Sequence, residues 1–271
     1  MPPASLPVRI HILSSINADP DWLDTGPNMN QLLLSIIIPA YNEEKRLPVY
    51  LARILEYLEP QDISYEIIVV DDGSHDLTAE VVDRFRQENV RVKLIRLSRN
   101  RGKGCAVRAG MLQASGKLRL FTDADGATPI AELERLQKAI DSGADVAIAS
   151  RAMKDDSCII NAHLHRKVIG RVFHYIVTTL TVKGIHDTQC GFKLFTAEAA
   201  QAVFPLQRID DFGFDVEILY LCQRYGYRIA EVPVNWTDIA GSKVSLIRDS
   251  LRMFTDIFRI RLNDLTGVYR Q

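Results

Sequence analysis

Short apolar segments alternate with helical patterns between residues 32 and 150, and most of these segments end in an acidic or glycine-containing turn. Segments of this length and continuous apolar character are typical of strands buried on both faces of a parallel sheet. The alternation predicts an α/β fold, Rossmann-like, with a mostly parallel sheet flanked by helices on both faces. The predicted strands are Leu32–Ile38, Glu66–Val70, Val92–Leu97, Leu118–Thr122 and Asp145–Ser150. Among the helices predicted between them, one covers residues 130–142 and another has apolar residues at helical spacing, namely Leu47, Leu51, Ile54, Leu55 and Leu58.

After Arg151 the pattern changes to longer amphipathic helices. Two of them, Arg166–Lys183 and Ser245–Leu262, carry an apolar face flanked by arginine and lysine residues. Such helices either pack on a sheet with their cations in solvent or lie on a membrane surface. The other predicted elements are strand Phe192–Phe195, helix Phe214–Tyr225 and strand Arg228–Val232.

The predicted organisation is a single domain over residues 31–265, in two halves at 31–150 and 151–265. The chain has 271 residues and 47% hydrophobic content, which is enough to bury a substantial core. Residues 1–30 are rich in Pro, Asp, Asn and Ser and lack the pattern of a signal peptide, so we predict a flexible leader. Residues 266–271 are predicted to form a tail.

Charge and cysteine usage exclude several classes of function. The formal net charge of -1 gives no reason to expect a nucleic-acid partner. The four cysteines are scattered without a Cys-x-x-Cys pair, which favours reduced thiols in the cytoplasm over a zinc or redox site. The sequence contains no run of about 18 apolar residues, so we expect any membrane contact to be peripheral.

Asp123 and Asp125 directly follow the predicted strand Leu118–Thr122, and Gly126 allows a sharp turn there. Carboxylates one residue apart at a strand end can reach the same point, which suits a hard divalent cation that holds a diphosphate. The alternative is an acidic loop that only solvates the strand end. The Asp-x-Asp spacing by itself leaves both interpretations open.

Three other turns carry residues suited to a nucleotide. Pro39–Glu43 offers an aromatic ring that can stack on a base and a carboxylate that can bind ribose hydroxyls. Asp71–Ser74 adds two carboxylates, and Arg99–Gly104 brings three cations to a predicted helix start, where an anion is favoured. Each turn also has a purely structural interpretation, such as a helix cap at Asn42 or a solvated basic turn.

The segment His186–Lys193 places an acid, an amide and a cation before a short strand. Gln189 can reach a metal-bound water, and Asp187 can orient a sugar hydroxyl. A nucleophilic role for Cys190 would need a base beside it, and His186 is four residues away. A cysteine next to a strand is more often an ordinary small core residue, so we discount that role.

In this order, the four turns resemble those of glycosyltransferase family 2, whose members have the GT-A fold. The resemblance covers about residues 32 to 265, and within the family it is strongest to the dolichyl-phosphate β-glucosyltransferases. Several strings in the right order are far more specific than any single one. The strings that carry the resemblance are Asp123–Thr128, Asp187–Lys193, Phe214–Glu217 and Gly241–Lys243.

The resemblance implies roles for individual residues. Asp123 and Asp125 are expected to hold Mg2+ or Mn2+ on the diphosphate of a nucleotide sugar, in the first half of the domain. The residues expected to contact that nucleotide sugar are Pro39, Tyr41, Glu43, Asp71, Asp72, Lys103, Asp123 and Ala124.

The second half of the domain is expected to bind the acceptor. The residues expected to serve catalysis are Asp125, Arg151, Asp187 and Gln189. For the acceptor phosphate, the expected contacts are Arg151, Arg166 and Lys243.

The implied reaction is transfer of glucose from UDP-glucose to a polyprenyl phosphate such as dolichyl phosphate, with inversion and a divalent metal. The implied location is the cytoplasmic face of a membrane, as a peripheral protein, and an oligomer is compatible with the sequence. Two alternatives within the family stay open: a GDP-mannose-dependent polyprenyl-phosphate mannosyltransferase, or an enzyme with a soluble acceptor. A nucleotide-binding protein without transfer activity is the alternative from another class.

Overall fold

A computed structural model describes residues 32–153, 158–161, 181–239 and 246–270 of the chain. The strands are β1 (Leu34–Ala40), β2 (Tyr65–Asp71), β3 (Val92–Arg96), β4 (Leu118–Thr122), β5 (Val146–Ser150), β6 (Ile160–Asn161), β7 (Phe192–Thr196), β8 (Ile229–Pro233) and β9 (Trp236–Thr237). The α-helices are α1 (Leu47–Leu58), α2 (Thr78–Glu88), α3 (Lys103–Gln113), α4 (Leu133–Asp141), α5 (Ala197–Val203), α6 (Phe214–Arg224) and α7 (Leu246–Leu265).

The main sheet has seven strands in the order β3-β2-β1-β4-β7-β5-β8. β7 runs antiparallel to both of its neighbours, β4 and β5, while the other pairs are parallel. The predicted α/β fold with a mostly parallel sheet is therefore confirmed. A separate parallel pair is formed by β6 and β9, which the sequence analysis did not predict.

Two apolar clusters pack on the two faces of the sheet. Successive residues of a strand point to opposite faces, and accordingly Ile37 of β1 belongs to one cluster whereas Ile36 and Ile38 belong to the other. The first cluster contains residues of α3, α5, α6 and α7, and the second contains residues of α1, α2 and α4. Helices thus cover both faces, and the polar turns are left at the edges where the strands end.

Several predicted boundaries differ from the structure. The predicted helix over residues 130–142 begins as a 3-10 turn, Ile130–Glu132, before α4. Most of the predicted helix Arg166–Lys183 and the whole predicted leader lie outside the described residues. In the predicted tail, Tyr269 is fully buried in the first apolar cluster.

α7 is 20 residues long, matches the predicted C-terminal amphipathic helix and extends it by one turn. Neither α7 nor any other helix within the described ranges has the apolar length needed to cross a bilayer.

Candidate active site

Polar side chains from several turns meet at one edge of the main sheet. The parallel strands β1, β2, β4 and β5 end at this edge, and β7 begins there because it runs in the opposite direction. The turn after β4 carries Asp123 and Asp125, Arg151 follows β5, and Asp187 precedes β7. The backbone N–H of Asp123 donates to the Gly191 carbonyl at 3.0 Å, which joins the turn after β4 to the segment before β7.

Asp123 forms an ion pair with Lys103, the first residue of α3. The Lys103 Nζ lies 2.6 Å from Asp123 Oδ1 and 5.9 Å from the ring centroids of both Phe121 and Phe214. Burial by itself would lower the pKa of Lys103, but the charges of Asp123 and Asp215 outweigh it and raise that pKa. The ammonium therefore stays protonated beside the carboxylate.

Asp125 lies close to a second cation, Arg46. The Arg46 Nη1 is 3.8 Å from Asp125 Oδ2, while Nε and Nη2 of the same guanidinium donate to the Glu43 carboxylate at 2.7 and 2.5 Å. Asp125 Oδ1 accepts a hydrogen bond from the Ala127 N–H at 3.0 Å. Burial, and then the neighbouring charge of Asp123, raise the pKa of Asp125.

The aspartates after β2 make contacts within the surrounding turns. Asp72 accepts hydrogen bonds from the backbone N–H groups of Arg101 and Gly102, both at 2.8 Å, and so holds the loop that precedes α3. Burial raises the pKa of Asp72. Asp71 Oδ1 accepts from the Ser74 N–H at 2.9 Å, and only 1% of the residue is exposed.

The other predicted nucleotide contacts lie near the end of β1 and after β4. Pro39 lies within the buried strand β1, and Ala124 is 5% exposed within the second apolar cluster. Tyr41 is half-buried, with its ring edge-on to His75 at 6.5 Å. Asn42 has a left-handed φ of 53° and accepts from the His75 N–H at 2.8 Å, so it braces the neighbouring turn and does not cap α1.

Asp187 holds Arg151 through three hydrogen bonds. Arg151 donates from Nε to Oδ2 at 2.7 Å, from Nη2 to Oδ1 at 2.9 Å and from its backbone N–H to Oδ2 at 3.0 Å. The guanidinium lies 5.3 Å from the ring centroid of Trp236. Burial would raise the pKa of Asp187, but Arg151 lowers it to about 2. Asp187 is therefore an ionised carboxylate that orients Arg151 and a poor proton acceptor near neutral pH.

Gln189 has an unused hydrogen-bond donor at this edge. Its backbone N–H donates to Asp187 Oδ1 at 3.1 Å, while its side-chain Nε2 is buried and has no hydrogen-bond partner among the described residues. Cys190 is buried, and burial raises the pKa of its thiol to about 12, which argues against a nucleophilic role.

A buried ion pair lies beneath the edge, between Lys193 of β7 and Asp215 of α6. The two side chains are 1% and 2% exposed, and Lys193 Nζ also donates to the Cys190 carbonyl at 2.8 Å. Burial raises the pKa of Asp215 in spite of Lys193. No individual role was predicted for Lys193, although a lysine within an otherwise apolar strand is unusual and could have indicated a buried partner.

Arg46 and Trp236 were also missed, and nothing in their local sequence distinguishes them from an ordinary helix start and an ordinary core aromatic. The predicted acceptor contacts Arg166 and Lys243 lie outside the described residues. The remaining predicted acceptor contact, Arg151, is at the edge.

A family model described as glycosyl transferase family 2 matches residues 35–204, more than half of the chain. The chain belongs to glycosyltransferase family 2. It is therefore an enzyme that transfers a sugar, and the nucleotide-binding protein without transfer activity is excluded as an interpretation.

Curated relatives of this family 2 glycosyltransferase match it along most of its length. Three of them are named dolichyl-phosphate beta-glucosyltransferase. The Dictyostelium discoideum protein is 41% identical over 93% of this chain and 80% of its own length. The Homo sapiens protein is 43% identical over 88% of this chain and 77% of its own length. The Saccharomyces cerevisiae protein is 38% identical over 90% of this chain and 80% of its own length.

Solved structures confirm the predicted GT-A fold of this family 2 enzyme. Glucosyl-3-phosphoglycerate synthase from Mycobacterium tuberculosis, crystallised with Mn2+, UDP and glucosyl-3-phosphoglycerate, superposes with a TM-score of 0.62 at 17% identity, covering 86% of this chain and 79% of that one. Mannosyl-3-phosphoglycerate synthase from Rubrobacter xylanophilus gives a TM-score of 0.64 at 17% identity, covering 89% and 76%.

Asp123 and Asp125 of this family 2 glycosyltransferase fit a divalent cation with oxygen ligands. The raised pKa of Asp125 reflects, after burial, repulsion by Asp123, and a shared cation would remove that repulsion. Among the described residues, no group of three or more His, Cys, Asp or Glu side chains is placed to hold a metal. Mg2+ is usually bound in proteins by one or two carboxylates together with phosphate oxygens and water, and two aspartates in one turn suit that donor set.

Proposed function

We propose that this enzyme transfers glucose from UDP-glucose to a dolichyl-type polyprenyl phosphate, with Mg2+ or Mn2+ bound. The observation that carries the proposal is the 38–43% identity to three dolichyl-phosphate beta-glucosyltransferases over 88–93% of the chain. UDP-glucose is the donor that the family resemblance implies. Because UDP-glucose is α-linked, a β product requires inversion at the anomeric carbon.

The acceptor phosphate needs little activation by the protein. Its second pKa is about 6, so near neutral pH it is largely a dianion. One phosphate oxygen attacks the anomeric carbon from the face opposite the diphosphate. The new carbon–oxygen bond forms as the bond to UDP breaks, and UDP leaves with the electron pair. No proton has to be removed, which fits an Asp187 whose pKa lies at about 2.

The cations at the edge are suited to the charge that builds on the leaving UDP. Lys103 and Arg46 already lie beside the two carboxylates, and Arg151 is held in one orientation by Asp187. Asp123 and Asp125 would hold Mg2+ or Mn2+, whose contribution is to neutralise charge on the diphosphate. The free donor on Gln189 Nε2 is suited to a sugar hydroxyl.

A donor panel tests the proposed reaction. The purified enzyme is incubated with dolichyl phosphate and radiolabelled UDP-glucose or GDP-mannose, with and without EDTA, and the lipid product is extracted into organic solvent. We expect label from UDP-glucose in the organic phase, a β linkage by NMR and loss of transfer in EDTA. Transfer from GDP-mannose instead would overturn the proposed donor. A labelled water-soluble product in a parallel incubation with glycerate, with none from the lipid, would overturn the proposed acceptor. Transfer that survives EDTA would overturn the proposed metal dependence.

We further propose that the enzyme works as a peripheral protein on the cytoplasmic face of a membrane, where a lipid phosphate is presented. Exposed apolar side chains form a stripe on α7, spaced four, four and three residues apart. The stripe consists of Phe254, Phe258, Leu262 and Leu265, which are 39%, 53%, 59% and 75% exposed. Exposed arginines Arg252, Arg259 and Arg261 flank it, which suits an anionic lipid surface.

The position and chemistry of the chain agree with this location. The start of α7 lies beside the donor turns, because Arg252 Nη1 is 3.6 Å from the Asp211 carboxylate, which itself packs against Gly102. All four cysteines are free thiols, as expected in a reducing compartment.

Flotation with vesicles of phosphatidylcholine and phosphatidylserine tests the stripe. We expect the wild-type protein to bind and Phe258→Glu with Leu262→Glu to lose at least about 10-fold in affinity, because two exposed apolar side chains that would enter the membrane surface become charged. Val90→Glu is the matched control, since Val90 is 90% exposed and belongs to the turn before β3 and not to α7. Equal binding by both variants would remove the support for the stripe.

A further inference from the structure

Each carboxylate of the candidate metal pair has a cationic partner from a different element. Lys103 at the start of α3 contacts Asp123 at 2.6 Å, and Arg46 before α1 lies 3.8 Å from Asp125. The Lys103 contact is a full ion pair, whereas the Arg46 guanidinium is already committed to Glu43 by two hydrogen bonds. Lys103 is thus the cation whose position depends most on Asp123.

The side chain of Lys103 is closely packed, which restricts the positions that its ammonium can occupy. The side chain is 18% exposed, and its Nζ lies 5.9 Å from the ring centroids of both Phe121 and Phe214, which are 5.7 Å apart and pack together on one side of it. The backbone on both sides of Lys103 is tightly packed. A Cβ added at Gly102 would lie 2.5 Å from the Asp210 carbonyl oxygen, and one added at Gly104 would lie 2.6 Å from Phe214. The ammonium therefore stays at the sheet edge, where an anion that enters the site beside Asp123 can reach it.

We propose that Lys103 makes divalent-cation binding depend on the nucleotide: it occupies Asp123 until a diphosphate arrives, and then transfers to the diphosphate as the cation takes the carboxylate. The inference rests on the proposed function for the nature of the ligands. A cation that binds to Asp123 without nucleotide competes with the Lys103–Asp123 ion pair and leaves a largely buried ammonium beside it. A nucleotide diphosphate supplies a new anionic partner for that ammonium, so the two ligands bind cooperatively.

The buried pair beneath the site makes this exchange possible. Lys103 Nζ and Lys193 Nζ lie 5.9 and 5.1 Å from the same ring centroid, that of Phe121, and Lys193 holds Asp215 beneath the site. When Lys103 leaves Asp123, it still has Asp215 as a nearby countercharge. The displaced lysine is therefore never an isolated buried cation, a state that would cost far more.

Mn2+ binding, followed by electron paramagnetic resonance of the full-length protein without acceptor or turnover, tests the exchange. Wild type is compared with Lys103→Met, with and without UDP. We expect Lys103→Met to bind Mn2+ alone about 10-fold more tightly than wild type, since the competing ammonium is gone. We also expect UDP to raise the Mn2+ affinity of wild type at least about 10-fold more than that of the variant, within the usual range of couplings between sites.

Lys93→Met is the matched control, because Lys93 Nζ also lies 2.6 Å from a buried carboxylate, Glu66, but away from the site. It should bind Mn2+ like wild type. Lys103→Gln replaces Lys103→Met if that variant fails to fold, and Lys103→Arg should keep the weak binding of wild type. Equal or weaker Mn2+ binding by the neutral variants without nucleotide would overturn the exchange.

The same measurement with GDP separates the exchange from the proposed donor. Coupling to GDP and not to UDP would keep the exchange and overturn the donor. Normal coupling without glucose transfer to dolichyl phosphate would keep the exchange and overturn the proposed reaction. Absence of coupling to either nucleotide in wild type would overturn the exchange.

Discussion

The backbone of Gly191 lies so close to the Asp123 carboxylate that no side chain fits at position 191. A Cβ at this position would lie 2.1 Å from Asp123 Oδ2, well inside van der Waals contact. The Gly191 carbonyl also accepts the Asp123 N–H at 3.0 Å. The same residue therefore positions the carboxylate through its backbone and leaves room for it by having no side chain.

We expect Gly191→Ala to lower Mn2+ and UDP affinity by about 10-fold or more, because the added methyl group must push the Asp123 carboxylate out of position. Gly184→Ala is the control: its φ of +71° makes alanine cost up to about 1 kcal/mol of stability, but no atom lies within 4 Å of the added Cβ. Titration calorimetry and thermal unfolding of both variants check this. Unchanged ligand affinity in Gly191→Ala would contradict it.

Asp187 gives a prediction about pH. Because its folded pKa of about 2 lies below the ordinary 3.8, the charged form stabilises the fold above about pH 4, and that stabilisation is lost as the pH falls towards 2. We expect Asp187→Asn to be less stable than wild type at pH 7, with the difference shrinking below about pH 3. Urea unfolding at several pH values measures it, and a difference that stays constant would contradict the ion pair.

The same variant distinguishes an orienting role from a base. We expect the kcat of Asp187→Asn to fall through poor placement of Arg151 while the pH profile of the remaining activity between pH 5 and 8 keeps its shape. A loss of about 100-fold or more with unchanged nucleotide affinity and unchanged Arg151 geometry would instead identify Asp187 as a general base.

At the scale of elements, the Lys193–Asp215 pair joins β7 to α6. Removing one partner leaves a buried charge without its countercharge, so we expect Lys193→Met or Asp215→Leu to cost about 3–5 kcal/mol in the free energy of unfolding. The double variant should cost clearly less than the sum, giving a coupling of about 2 kcal/mol or more in a urea-unfolding cycle. Arg86→Met, which breaks an ion pair with Asp83 whose two side chains are 46% and 47% exposed, should cost about 1 kcal/mol or less. Additive single costs would contradict the coupling.

Strands and helices with a clear pattern of apolar residues were predictable from the sequence, and elements too short to show such a pattern were not. The continuous apolar run in β2 and the helical spacing in α1 match the structure within a few residues. β7 was predicted as a strand, but burial patterns carry no information on direction, so its antiparallel placement was not. The two-residue strands β6 and β9 and the seven-residue helix α5 are too short to show a period.

The candidate site shows the same division. Asp123 and Asp125 were predictable because both carboxylates belong to one turn, and their spacing is visible in the sequence. Their cationic partners, Lys103 and Arg46, belong to the starts of two other helices. These cations approach the aspartates only in the folded structure. Lys193 and Asp215 are 22 residues apart, and no local pattern links them.

At the scale of the whole molecule, Tyr269 packs the segment after α7 against the first apolar cluster. Its side chain is fully buried, its hydroxyl donates to Glu217 at 2.5 Å, and its carbonyl accepts from the Tyr225 hydroxyl at 2.5 Å. Glu217 is also fully buried and holds the loop before α6 through the backbone N–H groups of Arg208 and Ile209. The end of the described chain therefore supports the loop that packs against α3.

We expect Tyr269→Phe to cost about 1–3 kcal/mol, because Glu217 loses a buried donor. Tyr269→Ala should cost about 3–5 kcal/mol, because it also leaves a cavity. Arg270→Ala, at an exposed neighbour, should change the free energy of unfolding by less than about 0.5 kcal/mol. Denaturant unfolding ranks the three variants, and a Tyr269→Ala cost as small as that of Arg270→Ala would show that the contact does not support the fold.

The reversed direction of β7 also has a consequence for protein engineering. The turns after β1, β2 and β4 each lead into a crossover to a helix, so a change in their length shifts that helix. The segment over residues 186–191 comes before a strand whose position in the centre of the sheet is fixed by β4 and β5 on either side. Loop grafts between relatives in this segment should therefore leave the sheet in place, provided that they keep Asp187 and Gly191, on which the positions of Arg151 and Asp123 depend.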